Sequence, residues 1–427
     1  MALLPASAWS SAEAGAFGVL RALAPMWVTG GWVRDRLLDA GDLNPGAGAA
    51  WRRLRRLTGG PEGDLDVLVA GVSARDFHAS CRASTALRAV LRGPPILVPA
   101  RGGRSLDTVK LRLPEHCVDV TSLFDAQQRL GGVGEAGGSG EEALLEDAEH
   151  RDVTFNACYC DTATGRVLDP SSRGLADLRE GIVRVPHSRG ARASIKEDPV
   201  RLLRAFRFAA RFGFELDEEL GSGLEEAADL ADHLKCSPPG RLLFEVKRAL
   251  LLHNRPGRFL GLLGAHGGVH RHLFGEAGGA LLGAWPAAVG RVRRLEALVL
   301  EGLARGSLTS RSMQWRGRRA DGPPPAMLAP DWRRTGVHEN DWAELLLAAL
   351  LWRCDEESLR RVGAQLQLSL AMTENVAKLH ALARQKIIAV QTAPPGVHLL
   401  NSAVASQESP CEFWARWPCS TSTSSQL

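Results

Sequence analysis

Two aspartates separated by one residue, Asp64 and Asp66, stand directly before an apolar run at 67–69. Successive side chains of a strand alternate between its two faces, so on a strand both carboxylates point to the same side. Carboxylate oxygens on a rigid strand are ligands that Mg²⁺ prefers. The pair is therefore a candidate metal site, although an exposed strand end is an alternative that such a short pattern leaves open.

A second group of charged side chains lies at 197–208. Asp198, Arg201 and Arg204 recur at every third position, which places them along one side of a helix, while the apolar residues between them can face a core. Acids and a proline suit a first helical turn, so we expect the helix to begin at Glu197 or Asp198. A plain amphipathic helix with an Asp198–Arg201 ion pair, which is worth about 0.2–0.5 kcal/mol, is the alternative.

The elements that would position these groups differ between the two halves of the chain. In the first half, strands are predicted at 26–29, 67–69 and 118–120, and the segment 153–159 is rich in strand-forming residues. From residue 199 onward the apolar spacing is helical and no strand is evident. Gly30 and Gly31 follow the first strand and precede a helix, where backbone N–H groups can bind a triphosphate.

Further motifs follow these residues in a fixed order along the chain. They are Gly30-Gly31-Trp32-Val33-Arg34-Asp35, Asp64-Leu65-Asp66, Arg151-Asp152-Val153-Thr154-Phe155-Asn156, Asp169-Pro170, Gly174-Leu175-Ala176-Asp177-Leu178 and Glu197-Asp198-Pro199-Val200-Arg201. In this order they resemble the class II tRNA nucleotidyltransferases, the CCA-adding enzymes, and their bacterial poly(A) polymerase relatives. The wording of the first motif is most similar to the eukaryotic members.

The resemblance implies an α+β fold. A small mixed β-sheet nucleotidyltransferase head, similar to that of polymerase β, is expected at 1–168, an all-α neck at 169–262, and a helical body and tail at 263–390. A disordered tail is expected at 391–427. The segment 40–63 is interpreted as an inserted surface loop within the head, and the glycine-rich segment 131–140 as a mobile loop.

The resemblance also implies a reaction, which is nucleotidyl transfer from CTP and ATP to tRNA with two Mg²⁺ ions. Asp64 and Asp66 are the expected metal ligands, and Asp119 is the expected third acid on a neighbouring strand. The nucleotide-binding residues that it implies are Gly30, Gly31, Arg34, Arg151, Asp152, Asn156, Asp198, Arg201, Arg204 and Arg207. Residues 169–178 are expected to act as a hinge, and Arg241 and Glu245 as a structural salt bridge.

The pair Asp198 and Arg201 gives base selection a chemical explanation. Cytosine and adenine both present an amino donor beside a ring acceptor, so Asp198 can accept from the amino group while Arg201 donates to the ring nitrogen. Uracil and guanine place a carbonyl oxygen where Asp198 requires a donor. Glu197 and Arg204 are expected to orient the pair, and Arg207 to reach phosphate or RNA.

Two residues depart from the family pattern. His150 stands where a first arginine is common, so weaker nucleotide binding is expected. Phe124 replaces an arginine that usually follows the third acid in the eukaryotic members, which affects expected phosphate or RNA contacts but removes no metal ligand.

Composition limits the class of protein. The formal charge of +4 and 45% hydrophobic content are ordinary for a globular protein, and no apolar run approaches the roughly 18–20 residues of a membrane span. The scattered cysteines and the absence of a basic, apolar leader favour a soluble intracellular protein, in the cytoplasm or an organelle. The expected partner is the acceptor–TΨC region of tRNA, bound mainly through phosphates; neither DNA nor a membrane is expected.

Two alternatives remain open. A relative with partial activity, adding only CC, only the final A, or a poly(A) tail, would share the same head motifs. A catalytically idle RNA-binding homologue is the alternative outside enzymes.

Overall fold

The computed structural model describes residues 2–5, 8–40, 43–58, 65–100, 106–114, 117–129, 140–188, 190–221, 234, 237, 239–251, 254–266, 269–274, 284–304, 346–352, 354–366, 368, 370 and 372–381. The described part of the chain divides between two compact units. The first unit comprises Met1–Arg52, Pro61–Ser194 and Glu215–Asp217, and the second comprises Arg53–Gly60, Ile195–Phe214 and Glu218–Leu427.

The first unit is built on a mixed sheet. Its strands are β1 (Ala2–Leu3), β2 (Met26–Thr29), β3 (Leu65–Val69), β4 (Ile96–Val98), β5 (Thr108–Arg112), β6 (Cys117–Ser122), β7 (Tyr159–Asp161) and β8 (Arg166–Leu168). Their order is β1-β8-β7-β2-β3-β6-β5-β4, in which β3 and β6 are parallel and the other neighbours are antiparallel. The predicted strands at 26–29, 67–69 and 118–120 are confirmed.

Helices of the first unit connect and cover these strands. They are α1 (Ser11–Leu20), α2 (Gly31–Ala40), α3 (Pro45–Thr58), α4 (Ala74–Ala83), α5 (Thr85–Val90), α6 (Leu123–Arg129), α7 (Gly140–Glu149) and α8 (Gly174–Glu180). Strands β5 and β6 bury alternate residues, among them Val109 and Val120, as half-covered strands do, whereas β3 is buried at every residue except Asp66. A separate cluster, containing Trp27, Leu144 and Tyr159, forms the core on the opposite face beneath α6 and α7.

Helix α3 corrects the prediction of an inserted surface loop at 40–63. Ala47, Trp51 and Leu54 are spaced at helical intervals, and Trp51 and Leu54 are buried. Arg52 donates to the carbonyl oxygens of Leu38 and Asp39, which lie at the end of α2. The glycine- and arginine-rich composition concealed this apolar spacing. The segments 41–42 and 59–64 lie outside the described residues.

Two other expectations about strands were wrong. The strand-forming segment 153–159 contains a 3₁₀ turn at Thr154–Asn156, and a strand begins only at Tyr159. A short strand, β10 (Glu215–Leu216), follows residue 199 and pairs in parallel with β9 (Ile182–Val183). It forms because Gly213, with φ +76°, ends the preceding helix and turns the chain.

The second unit is helical in its described part. Its elements include α9 (Gly190–Glu197, which begins in the first unit), α10 (Val200–Phe212), α11 (Glu218–Gly221), α12 (Pro239–Ala249), α13 (Pro256–Ala265), α14 (Val269–Phe274), α15 (Trp285–Ala304) and α16 (Glu356–Gln365). Helix α10 packs against α12 and α13, and α13 packs against α15. Its predicted core face is confirmed, since Leu202, Leu203 and Phe206 are fully buried.

The short apolar segment near residue 350 forms a buried helix. Residues 346–350 are helical, and Arg291 donates to the carbonyl oxygens of Ala349 and Leu350. No helix among the described residues is both long enough and apolar enough to cross a membrane. The predicted tail at 391–427 and most of the loop predicted at 131–140 lie outside the described residues.

Candidate active site

A glycine turn brings β2 and α2 close to Asp66 on β3. Strand β2 ends at Thr29, whose buried hydroxyl lies 3.1 Å from the carbonyl oxygen of Cys158, and Gly30 follows with φ +71°. A Cβ at position 30 would lie 3.2 Å from Oδ2 of Asp66. Glycine thus supplies both the left-handed backbone and the space for the carboxylate. This arrangement is the predicted strand, turn and helix.

Three charged side chains form a row across neighbouring strands. Asp66 on β3 is in register with Asp119 on the parallel strand β6, and Asp119 is in register with Lys110 on the antiparallel strand β5. Residues in register on adjacent strands share a face of the sheet. The prediction that a third acid lies on a neighbouring strand is confirmed in position. Asp64 lies outside the described residues.

The donor chemistry of this row suits a hard divalent cation. Asp66 is exposed and Asp119 is half-buried, and both offer carboxylate oxygens from strands, as Mg²⁺ sites do. No cluster of three or more potential metal-binding side chains occurs within the part of the chain that the structure describes. The row therefore supplies two of the three predicted acids, and the carboxylate of Asp66 stays uncrowded because Gly30 has no side chain.

Arg34, Asn156 and Asp152 form a buried network. Arg34 Nη1 donates to Asn156 Oδ1 at 2.7 Å, and Asn156 Nδ2 donates to Asp152 Oδ1 at 3.0 Å. Arg34 also pairs with Asp35 and is only 3% exposed. The structure thus brings together residues that the sequence predicted separately. Their contacts join α2 to the 3₁₀ turn, and their direct binding of nucleotide stays a prediction.

Arg151 is a nucleotide-binding candidate whose cationic side chain is partly exposed. Its Nε donates to Asp147 Oδ2 at 2.8 Å, and its side chain is 22% exposed. Burial opposes the charged form, but the carboxylates of Asp147 and Asp66 and the phenol of Tyr159 raise the pKa of Arg151 above its ordinary value. The guanidinium is therefore a permanent cation within electrostatic reach of Asp66.

The predicted hinge segment is closely packed against the 3₁₀ turn. Asp169 Oδ2 accepts from the N–H of Leu175 at 2.9 Å, and Thr154 Oγ1 donates to Asp177 Oδ2 at 2.6 Å. A Cβ at Gly174 would lie 2.6 Å from the carbonyl oxygen of Thr154, so only glycine fits there. Hinge motion at this segment stays a prediction.

The two departures from the family pattern lie at different depths. His150 is exposed immediately after α7, and Phe124 is half-buried in the first turn of α6. An exposed histidine at position 150 leaves room for an arginine. The expectation that His150 weakens nucleotide binding stays a prediction. It can be measured by comparing the CTP affinity of wild type with that of His150→Arg.

The helix that carries Arg201 and Arg204 begins later than predicted. Helix α9 ends at Glu197 and α10 begins at Val200, with Pro199 as its N-cap. Glu197 is thus the last residue of one helix and lies one turn before Arg201, whose Nη1 donates to Glu197 Oε2 at 2.9 Å. The alternative interpretation, an ion pair between Asp198 and Arg201, is therefore replaced by the contact between Arg201 and Glu197.

Asp198 has a different partner from the one that the sequence indicated. Arg241 on α12 donates to both carboxylate oxygens of Asp198, at 3.2 and 2.7 Å. Glu245 on the same helix accepts from Arg204 Nη1 at 3.3 Å and from Arg207 Nε at 2.9 Å. Arg241 and Glu245 were predicted to pair with each other. Arg241 instead pairs with Asp198, and Glu245 pairs with Arg204 and Arg207 on α10.

The placement of Arg207 corrects its predicted role. Arg207 is 2% exposed, and its Nε donates a hydrogen bond to Glu245, so it is not placed to reach phosphate or RNA. Burial lowers the pKa of Arg207 to about 10, against the opposing effect of Glu245. We therefore assign Arg207 to holding α12 against α10. The side chain of Arg204 is 35% exposed, and it forms a salt bridge with the same carboxylate of Glu245 from the solvent side.

Sequence reasoning missed Lys110 and Asp147. Lys110 contacts Asp119 from an antiparallel strand, and no local pattern gives the register of such a pair. Asp147 precedes Arg151 by four residues on a helical segment, and this spacing is a readable signal for an ion pair.

Comparisons with known proteins extend this picture. Residues 26–184 match the family described as the Poly A polymerase head domain. A multifunctional CCA protein of Stenotrophomonas maltophilia (strain K279a) is 30% identical over 238 residues, covering 55% of this chain and 48% of that protein. An A-adding tRNA nucleotidyltransferase of Aquifex aeolicus (strain VF5) is 40% identical over 124 residues, covering 28% of this chain and 14% of that protein. The chain thus spans less than half the length of these relatives.

A solved structure gives the wider fold. The Thermotoga maritima CCA-adding enzyme complexed with tRNA superposes with a TM-score of 0.55 at 20% identity, covering 95% of this chain and 77% of that chain. The likeness at this identity concerns the fold. Residues 26–184 therefore resemble a poly A polymerase head domain, within a chain whose fold is similar to that of a CCA-adding enzyme.

Proposed function

We propose that this chain is a CCA-adding tRNA nucleotidyltransferase, which builds or repairs the 3′-terminal CCA of tRNA from CTP and ATP without a nucleic-acid template and releases pyrophosphate. The observation that carries the proposal is the pair of carboxylates, here called the carboxylate row, that Asp66 and Asp119 place on one face of the sheet beside the Gly30 turn. The head-domain match and the two curated relatives support it.

The chemistry requires that a tRNA 3′-hydroxyl attack the α-phosphate of the incoming nucleotide. Two Mg²⁺ ions, when bound, would favour the attack and neutralise charge on the departing pyrophosphate. Asp66 would hold them together with Asp64, which the resemblance assigns to the same role. Asp119 would position the attacking hydroxyl, and Arg151 would bind the phosphates as a fixed cation.

Base selection would rest on Asp198 and Arg201. Asp198 now accepts two N–H groups from Arg241, and Arg201 donates to Glu197. An incoming cytosine or adenine can offer Asp198 an amino donor of the same kind, whereas uracil and guanine present a carbonyl oxygen at that position. A base without that donor would leave the carboxylate facing a carbonyl oxygen, which discriminates strongly.

The proposed partner is the acceptor–TΨC region of tRNA. The helical second unit would bind it mainly through phosphates, so the affinity should fall as salt rises. Because tRNA and both nucleoside triphosphates occur inside cells, we expect an intracellular site of action, in the cytoplasm or an organelle.

A second candidate function is addition of the terminal A alone. The A-adding relative has the higher identity of the two relatives above, although over a shorter segment. The head motifs serve both reactions, so the choice depends on which nucleotides are added. A CC-adding enzyme or a poly(A) polymerase would give other product lengths with the same head.

Equilibrium binding of CTP, measured by calorimetry with and without Mg²⁺, tests the proposal against an idle RNA-binding homologue. Wild-type protein should bind CTP, and Mg²⁺ should strengthen the binding. Asp66→Asn should reduce the Mg²⁺ effect, while Asp76→Asn, an exposed aspartate on α4, should not. Binding of tRNA without any binding of CTP would contradict the proposed CCA-adding function.

A further inference from the structure

Arg151 is held by a carboxylate that is itself anchored to the sheet. Asp147 Oδ2 accepts two hydrogen bonds, from Arg151 Nε at 2.8 Å and from the Tyr159 hydroxyl at 2.7 Å. Asp147 lies in the last turn of α7, Arg151 follows it by four residues just beyond the end of that helix, and Tyr159 lies on β7. Asp147 Oδ2 therefore connects Arg151, a candidate phosphate-binding residue, to the β-sheet through Tyr159.

Tyr159 is a rigid anchor. Its side chain is fully buried in the cluster that includes Trp27 and Leu144, and its hydroxyl is committed to Asp147. Its ring centroid lies 5.8 Å from Cζ of Arg151, which adds a cation–π contact. The ring and the carboxylate together limit the rotation of the guanidinium.

The hydrogen bond through Nε leaves one edge of the guanidinium available. Asp147 contacts the guanidinium of Arg151 through Nε, and the side chain of Arg151 is 22% exposed. An anion can therefore approach the fork formed by the two terminal nitrogens but not the edge that contains Nε. End-on, bidentate contact suits a phosphate.

We propose that Asp147 and Tyr159 are positioning residues for nucleotide binding, which fix Arg151 so that its terminal fork receives a phosphate of the incoming nucleotide. This inference rests on the proposed function. Asp147 partly neutralises Arg151, and the gain is a side chain that is already ordered before the nucleotide binds. Neither residue touches the substrate in this arrangement.

A double-mutant cycle on CTP affinity tests the inference. Calorimetry would compare wild type, Asp147→Asn, Arg151→Gln and the double variant, with Glu146→Gln as the matched control on the same helix. Asp147→Asn should weaken CTP binding about tenfold, the effect expected when a charge-assisted hydrogen bond is lost. In the Arg151→Gln background the same substitution should change the affinity by less than about twofold, because there is no guanidinium left to orient.

Tyr159→Phe supplies a second variant that keeps the packing of the core. It should weaken CTP binding by about threefold, a smaller effect than that of Asp147→Asn because only a neutral hydrogen bond is lost. Tyr159 is the only tyrosine in the sequence, so alkaline tyrosinate absorbance reports on this site alone. Asp147→Asn should lower the tyrosinate midpoint, since burial and the Asp147 carboxylate raise the pKa of Tyr159.

The outcomes separate the two proposals. If wild-type protein fails to bind CTP, the proposed function is wrong and the inference fails with it. If wild type binds CTP and Arg151→Gln weakens the binding, the function stands. The inference is then overturned if Asp147→Asn binds CTP like wild type, or if its effect is equally large without Arg151.

Discussion

Lys110 and Asp119 form an ion pair inside the carboxylate row, with Nζ at 2.7 Å from Oδ1 and 2.6 Å from Oδ2. The two residues are register partners on β5 and β6, so the contact follows from strand pairing. It gives the third acid of the proposed site a fixed orientation and a counter-charge on the side away from Asp66.

Replacing Lys110 should therefore lower kcat clearly while changing the free energy of unfolding only slightly. Lys110→Gln frees the carboxylate of Asp119 to rotate, and we expect kcat for CTP addition to fall about tenfold, equivalent to about 1.4 kcal/mol. The pair is partly exposed, so the loss of unfolding free energy should stay below about 1 kcal/mol. Arg88→Gln, an exposed charge on α5, is the control. Unchanged kcat in Lys110→Gln would show that Lys110 does not support Asp119.

Base selection should depend on Asp198. In Asp198→Ala neither cytosine nor uracil meets a carboxylate, so the preference for CTP over UTP should fall by about tenfold or more while addition continues. The measurement is the ratio of kcat/KM for the two nucleotides. Asp76→Ala serves as a control of the same residue type. Retention of the wild-type ratio in Asp198→Ala would assign base selection elsewhere.

Glu245 should be important for the stability of the second unit. Its carboxylate is the partner of the buried Arg207, and both side chains are 3% exposed. Glu245→Gln leaves that guanidinium without its counter-charge, so we expect a loss of about 3–5 kcal/mol in unfolding free energy.

Urea unfolding followed by circular dichroism would measure this loss. Glu357→Gln removes a comparable carboxylate from an exposed pair with Arg361 and should cost less than about 0.5 kcal/mol. Equal effects of the two substitutions would contradict the assignment of Glu245 as a buried partner.

Stability at alkaline pH should depend on buried thiols. Burial raises the pKa of Cys81 from 9.0 to about 12. Below pH 9 the thiol is protonated in both folded and unfolded chains, so its contribution is fully present. Between pH 9 and about 12 the unfolded chain loses this proton first, so stability falls as pH rises.

The comparison is between wild type and Cys81→Ala. The decrease in unfolding free energy from pH 8 to pH 10.5 should be smaller in Cys81→Ala, since that chain has one buried thiol fewer. Denaturant midpoints at the two pH values measure it. An equal decrease in the two proteins would mean that Cys81 titrates normally in the folded state.

Local sequence patterns predicted the parts of the site that depend on local geometry. The glycine pair after β2 fixes a turn, and the position of Asp66 on β3 follows from alternation along a strand. Asp119 was placed on a neighbouring strand by the family resemblance. These features could be predicted because each is determined by a few adjacent residues or by a motif of fixed order.

Partners across elements could not be predicted in the same way. The alternative interpretation paired Asp198 with Arg201, but Asp198 instead forms a bidentate contact with Arg241 on α12. Lys110 depends on strand register, and Arg207 depends on the packing of α12 against α10. Helix α3 differs, because Ala47, Trp51 and Leu54 carried a readable helical spacing that composition obscured.

Single-nucleotide extension of a tRNA transcript lacking its 3′ end tests the central claim most directly. The reactions contain CTP alone, ATP alone, both nucleotides, or UTP, and wild type is compared with Asp66→Ala and with Asp76→Ala as control. Addition of two C residues and then one A by wild type and the control, with no addition by Asp66→Ala, is the predicted result. A lone A, a stop after CC or a long A ladder would select a specialised relative. Full extension by Asp66→Ala, or none by wild type despite tRNA binding, would contradict the account.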